Sequence, residues 1–302
     1  MSAAELVIQS IAHAPSIIMI GSFVVWPLLI LTVVWLWRTD SSRHRFWLGL
    51  LAVVCITFLY MRFFERYWII ETYIELDRDW DARIVLIADQ HLGAFKNNTY
   101  MERVVERINS IPEVDLVVIA GDFVYSARDL QTEHAALANL QAPTYAVLGN
   151  HDVVTRREKE LLSDTLTNLG VTVLENEIAT EAGVTIYGLG SHVTHQDDVT
   201  LLEAANPAAE NILILTHNPD TTRQQYPDVD LTNSVTLTGH THCGQIRIPW
   251  LYEYIIPTVG DFPDRGPYDL DRKGTLLITC GLGEVLLPLR LFNPPEIMVI
   301  DL

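Results

Sequence analysis

Five short apolar runs in this chain each end directly in a turn carrying Asp, His or Asn, and this repetition restricts the fold more than any other feature. The runs are 84–88 (IVLIA), 116–120 (LVVIA), 144–148 (TYAVL), 211–215 (NILIL) and 234–237 (SVTL). They lead into Asp89-Gln90-His91, Gly121-Asp122, Gly149-Asn150-His151-Asp152, Thr216-His217-Asn218 and Gly239-His240-Thr241-His242. Short apolar runs closed by turn residues read as buried strands. Helical periodicity covers 98–110 and 155–168, and 68–76 alternates loosely, as a further strand would. Strands alternating with helices predict an α/β fold with central sheets covered by helices.

Ligands of open α/β sheets gather at the carboxyl ends of strands, so the five turns are expected to converge. The converging set is Asp89, His91, Asp122, Asn150, His151, His217, His240 and His242. A lone Asp-x-His is close to noise, Gly-Asp is a common turn, and Asn-His-Asp equally suits a helix cap. Gly239-His240-Thr241-His242 says more, because alternating histidines on extended backbone put both imidazoles on one side. Carboxylate with imidazole suits Mn, Fe, Co, Ni or Zn better than Ca or Mg. So many donors exceed a mononuclear site and fit two ions about 3.5–4 Å apart that share a carboxylate.

Charge divides the chain in two. Its net charge is −18, yet residues 1–68 hold five arginines against three acids, a net +2 that leaves −20 for 69–302. An acidic domain of that size repels polyphosphate, so no nucleic-acid partner is expected. Residues 16–37 are uncharged, long enough at about 1.5 Å per residue to span a hydrocarbon core of about 30 Å. A second uncharged run covers 46–61 and extends to 64 with Phe63 and Phe64. Tryptophans 26, 35, 37, 47 and 68 mostly sit near the ends of these runs, as interfacial anchors do. A cleaved signal peptide is disfavoured, since the first fifteen residues contain no Lys or Arg. The expected organisation is a two-helix membrane hairpin (1–68, helices about 16–37 and 46–64) followed by a catalytic domain (69–302). Arg38, Arg43 and Arg45 favour a cytoplasmic loop, against Arg62 and Arg66 beyond the second helix. This predicts a multi-pass protein of the inner or plasma membrane with a periplasmic domain.

Taken together, Asp89-x-His91, Gly121-Asp122, Gly149-Asn150-His151-Asp152, His217 and Gly239-His240-x-His242 resemble the signature of the calcineurin-like metallophosphoesterases. The resemblance runs from about residue 82 to the C-terminus. The stretch His242-Cys243-Gly244-Gln245, the ending Gly281-Leu282-Gly283 and Pro294-Pro295-Glu296 look closest to the bacterial membrane-anchored branch. Tyr125 stands where a second acid often follows Gly-Asp, and Cys280 where a basic residue is common.

The resemblance implies a four-layer αββα sandwich, two mixed sheets flanked by helices, with metals at its edge. It implies that Asp89, His91 and His242 bind one ion, that Asn150, His217 and His240 bind the other, and that Asp122 bridges them. Two dications lower the pKa of a shared water and generate hydroxide, while gripping phosphate oxygens. They exceed the charge of Asp89, Asp122 and one hydroxide, so an anionic phosphate can bind within an acidic domain. Mn is favoured over Fe or Zn. His151, beside a ligand without being one, is placed to protonate the departing alkoxide or to hydrogen-bond phosphate.

The expected activity is hydrolysis of a phosphodiester or pyrophosphate in a membrane-associated substrate, a phosphorylated small molecule or lipid. Cleavage of UDP-2,3-diacylglucosamine from the cytoplasmic side is the alternative, and a metal-free membrane scaffold is the reading from another class. Among weaker signals, Cys243 and Cys280 are expected as free buried thiols rather than as a pair or metal contacts. His192 and His195 read as plain loop residues, and Arg247, Arg265, Arg272, Lys273 and Arg290 are candidate phosphate or head-group contacts. The aromatic-rich stretch 246–257 reads as strands packed on the sheet or as a membrane-facing lip.

Overall fold

A computed structural model of the chain describes residues 22–302 apart from 94, 126–128, 154, 208–209, 225–228, 251 and 253–264. The expected segment 16–21 and part of the lip at 246–257 therefore lie outside the described residues.

Helices α1 (Val25–Arg38) and α2 (Ser42–Phe63) form an antiparallel pair, with Phe23 and Trp26 at its start against Phe63 at its end. The Ser41 hydroxyl accepts from the His44 amide and caps α2, which starts the helix earlier than its apolar run. Trp35, Trp37, Phe46, Trp47, Val53 and Ile56 are exposed on the pair, an outward apolar face that water does not favour. Among the described residues one segment, Ser42–Tyr67, is long and apolar enough to cross a membrane.

Two six-stranded mixed sheets follow. The first has the order β1 (Ile70–Glu75), β12 (Glu296–Asp301), β2 (Arg83–Ile87), β3 (Leu116–Ala120), β4 (Thr144–Val147), β5 (Val171–Val173). Strands β2 to β5 run parallel, and β12 lies antiparallel to β2. The second has the order β10 (Gly266–Asp269), β11 (Thr275–Ile278), β9 (Val235–Thr238), β8 (Asn211–Leu215), β7 (Val184–Gly188), β6 (Glu177–Glu181). Its strands β11, β9, β8 and β7 are parallel.

Alternation along each strand sorts the core into layers. Ile84, Leu86, Leu116 and Val118 meet Ile186, Leu213, Val235 and Leu277 between the sheets. On the outer face of the first sheet, Val85, Ile87, Val117 and Ile119 pack against α3 (Asn98–Ser110) and α4 (Arg156–Asn168) through Met101, Val104, Ile108, Leu162 and Leu166. Asn97 and Thr155 cap these helices. The outer face of the second sheet is covered by 3-10 turns, with Val199 and Leu202 on Tyr187, Ile212 and Ile214. This is the expected αββα sandwich, with one helical layer reduced to 3-10 turns among the described residues.

Candidate metal centre

Because β2, β3, β4, β8 and β9 are parallel within their sheets, all five turns leave the carboxyl ends of strands at one edge of the sandwich. Two triads of donors form there, Asp89, His91 and His242 in one and Asp122, His217 and His240 in the other. In each triad the candidate ligand atoms lie within 4.8 Å of one another. Asp122 Oδ2 stands 3.2 Å from His217 Nε2 and 3.5 Å from His91 Nε2, so a single carboxylate oxygen faces both triads. Asn150 Oδ1 joins the second triad at 3.2 Å from His217 Nε2.

Ring nitrogens confront each other here. His91 Nε2 is 3.1 Å from His242 Nε2, and His240 Nδ1 is 3.1 Å from His217 Nε2. Each such pair is joined by one N–H···N hydrogen bond or, where both facing nitrogens are bare, by a cation between them. His217 shows which nitrogen is meant to be bare: Nδ1 donates to the Ala120 carbonyl at 2.7 Å, which turns the Nε2 lone pair inward. Buried among lone pairs, these donors suit one or two divalent ions.

Burial works to lower the His217 imidazolium, but the Asp122 carboxylate beside it outweighs burial and raises it to about 9. Burial drives the His91 imidazolium down to about 3 and, with the His91 ring beside it, the His242 imidazolium well below its ordinary range, so both rings are neutral. Burial works to raise the Asp122 carboxyl, but the adjacent His217 outweighs it and holds Asp122 well below the usual carboxylate range. Asp89, buried and facing Asp122, is pushed up to about 7, an electrostatic cost that a cation alongside would remove.

The backbone is bent to fit. Asp89, His91, Asp122, His240 and His242 all have left-handed φ, between 44° and 69°. Such residues cluster at sites where the surroundings enforce them. Extended backbone was expected at Gly239–His242; instead the left-handed turns send His240 to one triad and His242 to the other. A Cβ on Gly239 would stand 2.6 Å from Asp89 Oδ2, so only glycine lets the His240 amide reach that carboxylate, at 3.0 Å.

Sequence reasoning passed over several supports. Asp152 accepts from the amides of Phe123, Val124 and Gly149, tying the turn after β3 to the turn after β4. Asn293 donates to the His242 carbonyl at 2.6 Å. Cys243 and Cys280, expected as free thiols, form a disulfide. Parallel pairing of β9 with β11 brings their ends together and places the two Cα atoms 4.8 Å apart, a proximity that 37 residues of separation concealed. Among described cysteines only Cys55 is free.

Arg290, a candidate phosphate contact, is instead fully buried, gathering the carbonyls of Cys280, Gly281 and Gly283. Lys273 donates to the carbonyls of Thr222 and Gln224. His192 is held by Asp197 at 2.8 Å, as a loop residue.

A cavity of about 330 Å³ opens over the triads, lined by Asp122, Asn150, His151, His240 and His242 with Ile246, Val285, Leu286 and Leu287 on one side. His151 is anchored by its amide, 2.9 Å from Asp122 Oδ1, and its ring lies 4.8 Å from His91 and 6.3 Å, stacked, from Tyr125. A larger cleft of about 820 Å³ beside α4 is lined by Arg156, Lys159, Glu160 and Glu175 and contains no histidine.

These features define a two-sheet scaffold with a dinuclear donor set at one edge. The calcineurin-like phosphoesterase family matches residues 82–244, and the chain belongs to that family. Among curated proteins, an uncharacterized metallophosphoesterase of Helicobacter pylori is 30% identical over 244 residues, covering 77% of this chain and 63% of that protein. The chain thus spans a little under two thirds of that relative's length. Phosphodiesterase YaeI of Escherichia coli is 29% identical over 86% of this chain and 99% of its own length. A transmembrane protein with metallophosphoesterase domain from Danio rerio is 27% identical over 71% of this chain and 52% of its own.

Proposed function

We propose that the protein is a dinuclear-metal phosphoesterase that hydrolyses a phosphodiester or pyrophosphate bond in a membrane-associated substrate. The observation that carries this reading is Asp122 Oδ2 facing both buried triads, 3.2 Å from one and 3.5 Å from the other. In this reading Asp89, His91 and His242 hold one ion, Asn150, His217 and His240 hold the other, and Asp122 spans both. Two divalent ions held there, Mn favoured over Fe or Zn, supply Lewis-acid chemistry that acidifies water and neutralises phosphate charge. The chain's own part is to present ring nitrogens, keep Asp122 anionic and exclude lysine and arginine from the donor set. His151, lining the cavity outside both triads, donates the proton that the departing oxygen needs.

Full-length protein in detergent tests the reading by metal analysis and by turnover of bis(p-nitrophenyl) phosphate with Mn²⁺. Two ions per chain with turnover is the expected result. A folded, metal-free and inert protein would establish the scaffold reading instead.

We also infer that α1 and α2 both cross the membrane and that the catalytic domain is extracytoplasmic. Arg38, Arg43 and Arg45 in or beside the short connection between the helices support a cytoplasmic loop. The Cys243–Cys280 disulfide supports an oxidising compartment. A C-terminal topology reporter active only in the cytoplasm would sink this orientation and bring back UDP-2,3-diacylglucosamine as substrate.

A further inference from the structure

The side of the cavity away from the donors is apolar and is joined by hydrogen bonds to the end of the membrane helix. Ile246, Val285, Leu286 and Leu287 line it. Gln245 holds these pieces together, its side chain accepting from the Val285 amide at 2.9 Å and donating to the Leu287 carbonyl at 2.7 Å. Ile246 bridges to Leu291, and the Arg247 amide donates to the Leu291 carbonyl at 2.9 Å. The same strap then reaches the last turn of α2. The Arg290 amide donates to the Met61 carbonyl at 3.3 Å, and the Asn293 amide donates to Glu65 Oε1 at 2.5 Å.

Depth in the bilayer follows from those bonds. Met61 and Glu65 mark the point where the apolar segment Ser42–Tyr67 ends, so the strap that walls the cavity sits where the helix leaves the hydrocarbon. Along that rim Ile248, Trp250, Leu286 and Phe292 are exposed, Trp250 at 86% and Phe292 at 68%. Phe64 and Trp68, also exposed, continue the apolar surface past the helix end. Large apolar side chains left in water forgo the gain of burial, and aromatic residues at this depth are typical of a membrane interface. The docking is rigid: Arg66, the residue after Glu65, is fully buried and paired with Glu284 at 2.8 Å.

We propose that this rim rests in the bilayer and that the substrate is a membrane lipid carrying a phosphodiester, whose chains remain along the apolar wall while its phosphate enters the donor cavity. This rests on the phosphodiesterase reading above. Hydrolysis adds one water across the ester: a P–O bond forms from water, the P–O bond to the leaving group breaks, and the leaving oxygen departs with a proton. A phosphomonoester and an alcohol result.

The test uses full-length protein in phosphatidylcholine nanodiscs and two diesters of identical reactive chemistry, hexadecyl p-nitrophenyl phosphate and ethyl p-nitrophenyl phosphate. The kcat/KM ratio of hexadecyl to ethyl substrate is measured in the wild type and in an Ile248→Asp, Phe292→Asp double variant of unchanged metal content. The expected result is a ratio at least tenfold lower in the variant, because simple partitioning into the disc is the same for both proteins. An equal ratio in the two proteins overturns the lipid proposal and leaves phosphodiester hydrolysis standing. Absence of turnover on both diesters in metal-loaded wild type overturns the phosphodiesterase reading itself. A fall in ratio that accompanies loss of a dimer, read by light scattering, assigns the rim to contact between copies and also overturns the proposal. The single variant Phe292→Ser, a milder change, serves if the double variant does not fold.

Discussion

The donor turns bring together two carboxylates, four imidazoles and one amide with no lysine or arginine in the set, whereas Glu284 lies buried among Arg66, Lys96 and Arg290. The Glu284 cluster is shut away from water while the donor turns border the cavity, and Arg290 connects the two through the carbonyls beside Asp89. Their completeness differs. In the Glu284 cluster the carboxylate has polypeptide cations at 2.8 and 3.0 Å; Arg66 Nη2 also donates to the Phe95 carbonyl and Arg290 Nη1 to that of Asn293, while Arg66 Nε and Nη1 and Arg290 Nε have no hydrogen-bond partner. The donor turns hold carboxylates and ring nitrogens with no lysine or arginine among them. A buried ionic cluster that carries its own counter-charges holds parts together; one with a surplus of acceptors is completed by a cation from outside. The Glu284 cluster joins the end of the apolar helix α2 to the edge of the sandwich that carries the donor turns, and the donor turns form the candidate metal centre.

Four experiments would break or sharpen this contrast. The largest effect is expected for Asp122→Asn, which removes the one carboxylate oxygen shared by both triads. Metal content should fall to one ion or fewer per chain and diester turnover by about a thousandfold, the scale of several kcal/mol of lost charge stabilisation. A variant retaining two ions would refute the shared role.

Glu284→Gln should act on stability instead. It leaves three buried cations without their anion, a change that costs about 3–5 kcal/mol in comparable buried pairs. Thermal unfolding in detergent measures it, and a melting temperature like that of the wild type would show the cluster to be dispensable.

His151→Ala should keep both ions and lower turnover about a hundredfold on alkyl leaving groups, which need the proton, and much less on nitrophenyl esters. Equal losses on both would remove the proton-donor role and leave only a contact to phosphate.

The smallest effect concerns pH. Burial, aided by repulsion from Arg290 and Arg66 and only partly offset by Glu284, lowers the Lys96 ammonium to about 7 against an ordinary 10.5. Between those values the unfolded chain binds a proton that the folded chain does not, so the contribution of Lys96 to stability should rise with pH across that window. Unfolding at stepped pH, compared with Lys96→Met, isolates the effect; identical slopes would exclude it.

Much of the fold was legible because its signals are local. The apolar runs became β2, β3, β4, β8 and β9 nearly residue for residue, and helices at 98–110 and 156–168 began at side-chain caps one residue before them. The donors were legible because each turn follows its strand at once. The division of His240 and His242 between the triads followed from the family resemblance and is the one observed, but the left-handed turns that carry them, in place of extended backbone, were not legible. The disulfide, the Asp152 clamp and the role of Arg290 were equally hidden, each being a contact between turns that single strands do not announce.

The amino-acid sequence by itself determined the strand-end turns, their donor chemistry and the apolar hairpin, because burial period and turn chemistry are set by neighbours along the chain. Only the tertiary structure decided which distant residues meet. His91 faces His242 across 151 positions, and Arg66 pairs with Glu284 across 218, because the order of strands in two sheets brings their ends to one edge. The same packing placed the cavity wall against the end of the apolar helix α2, a relation that no local pattern encodes.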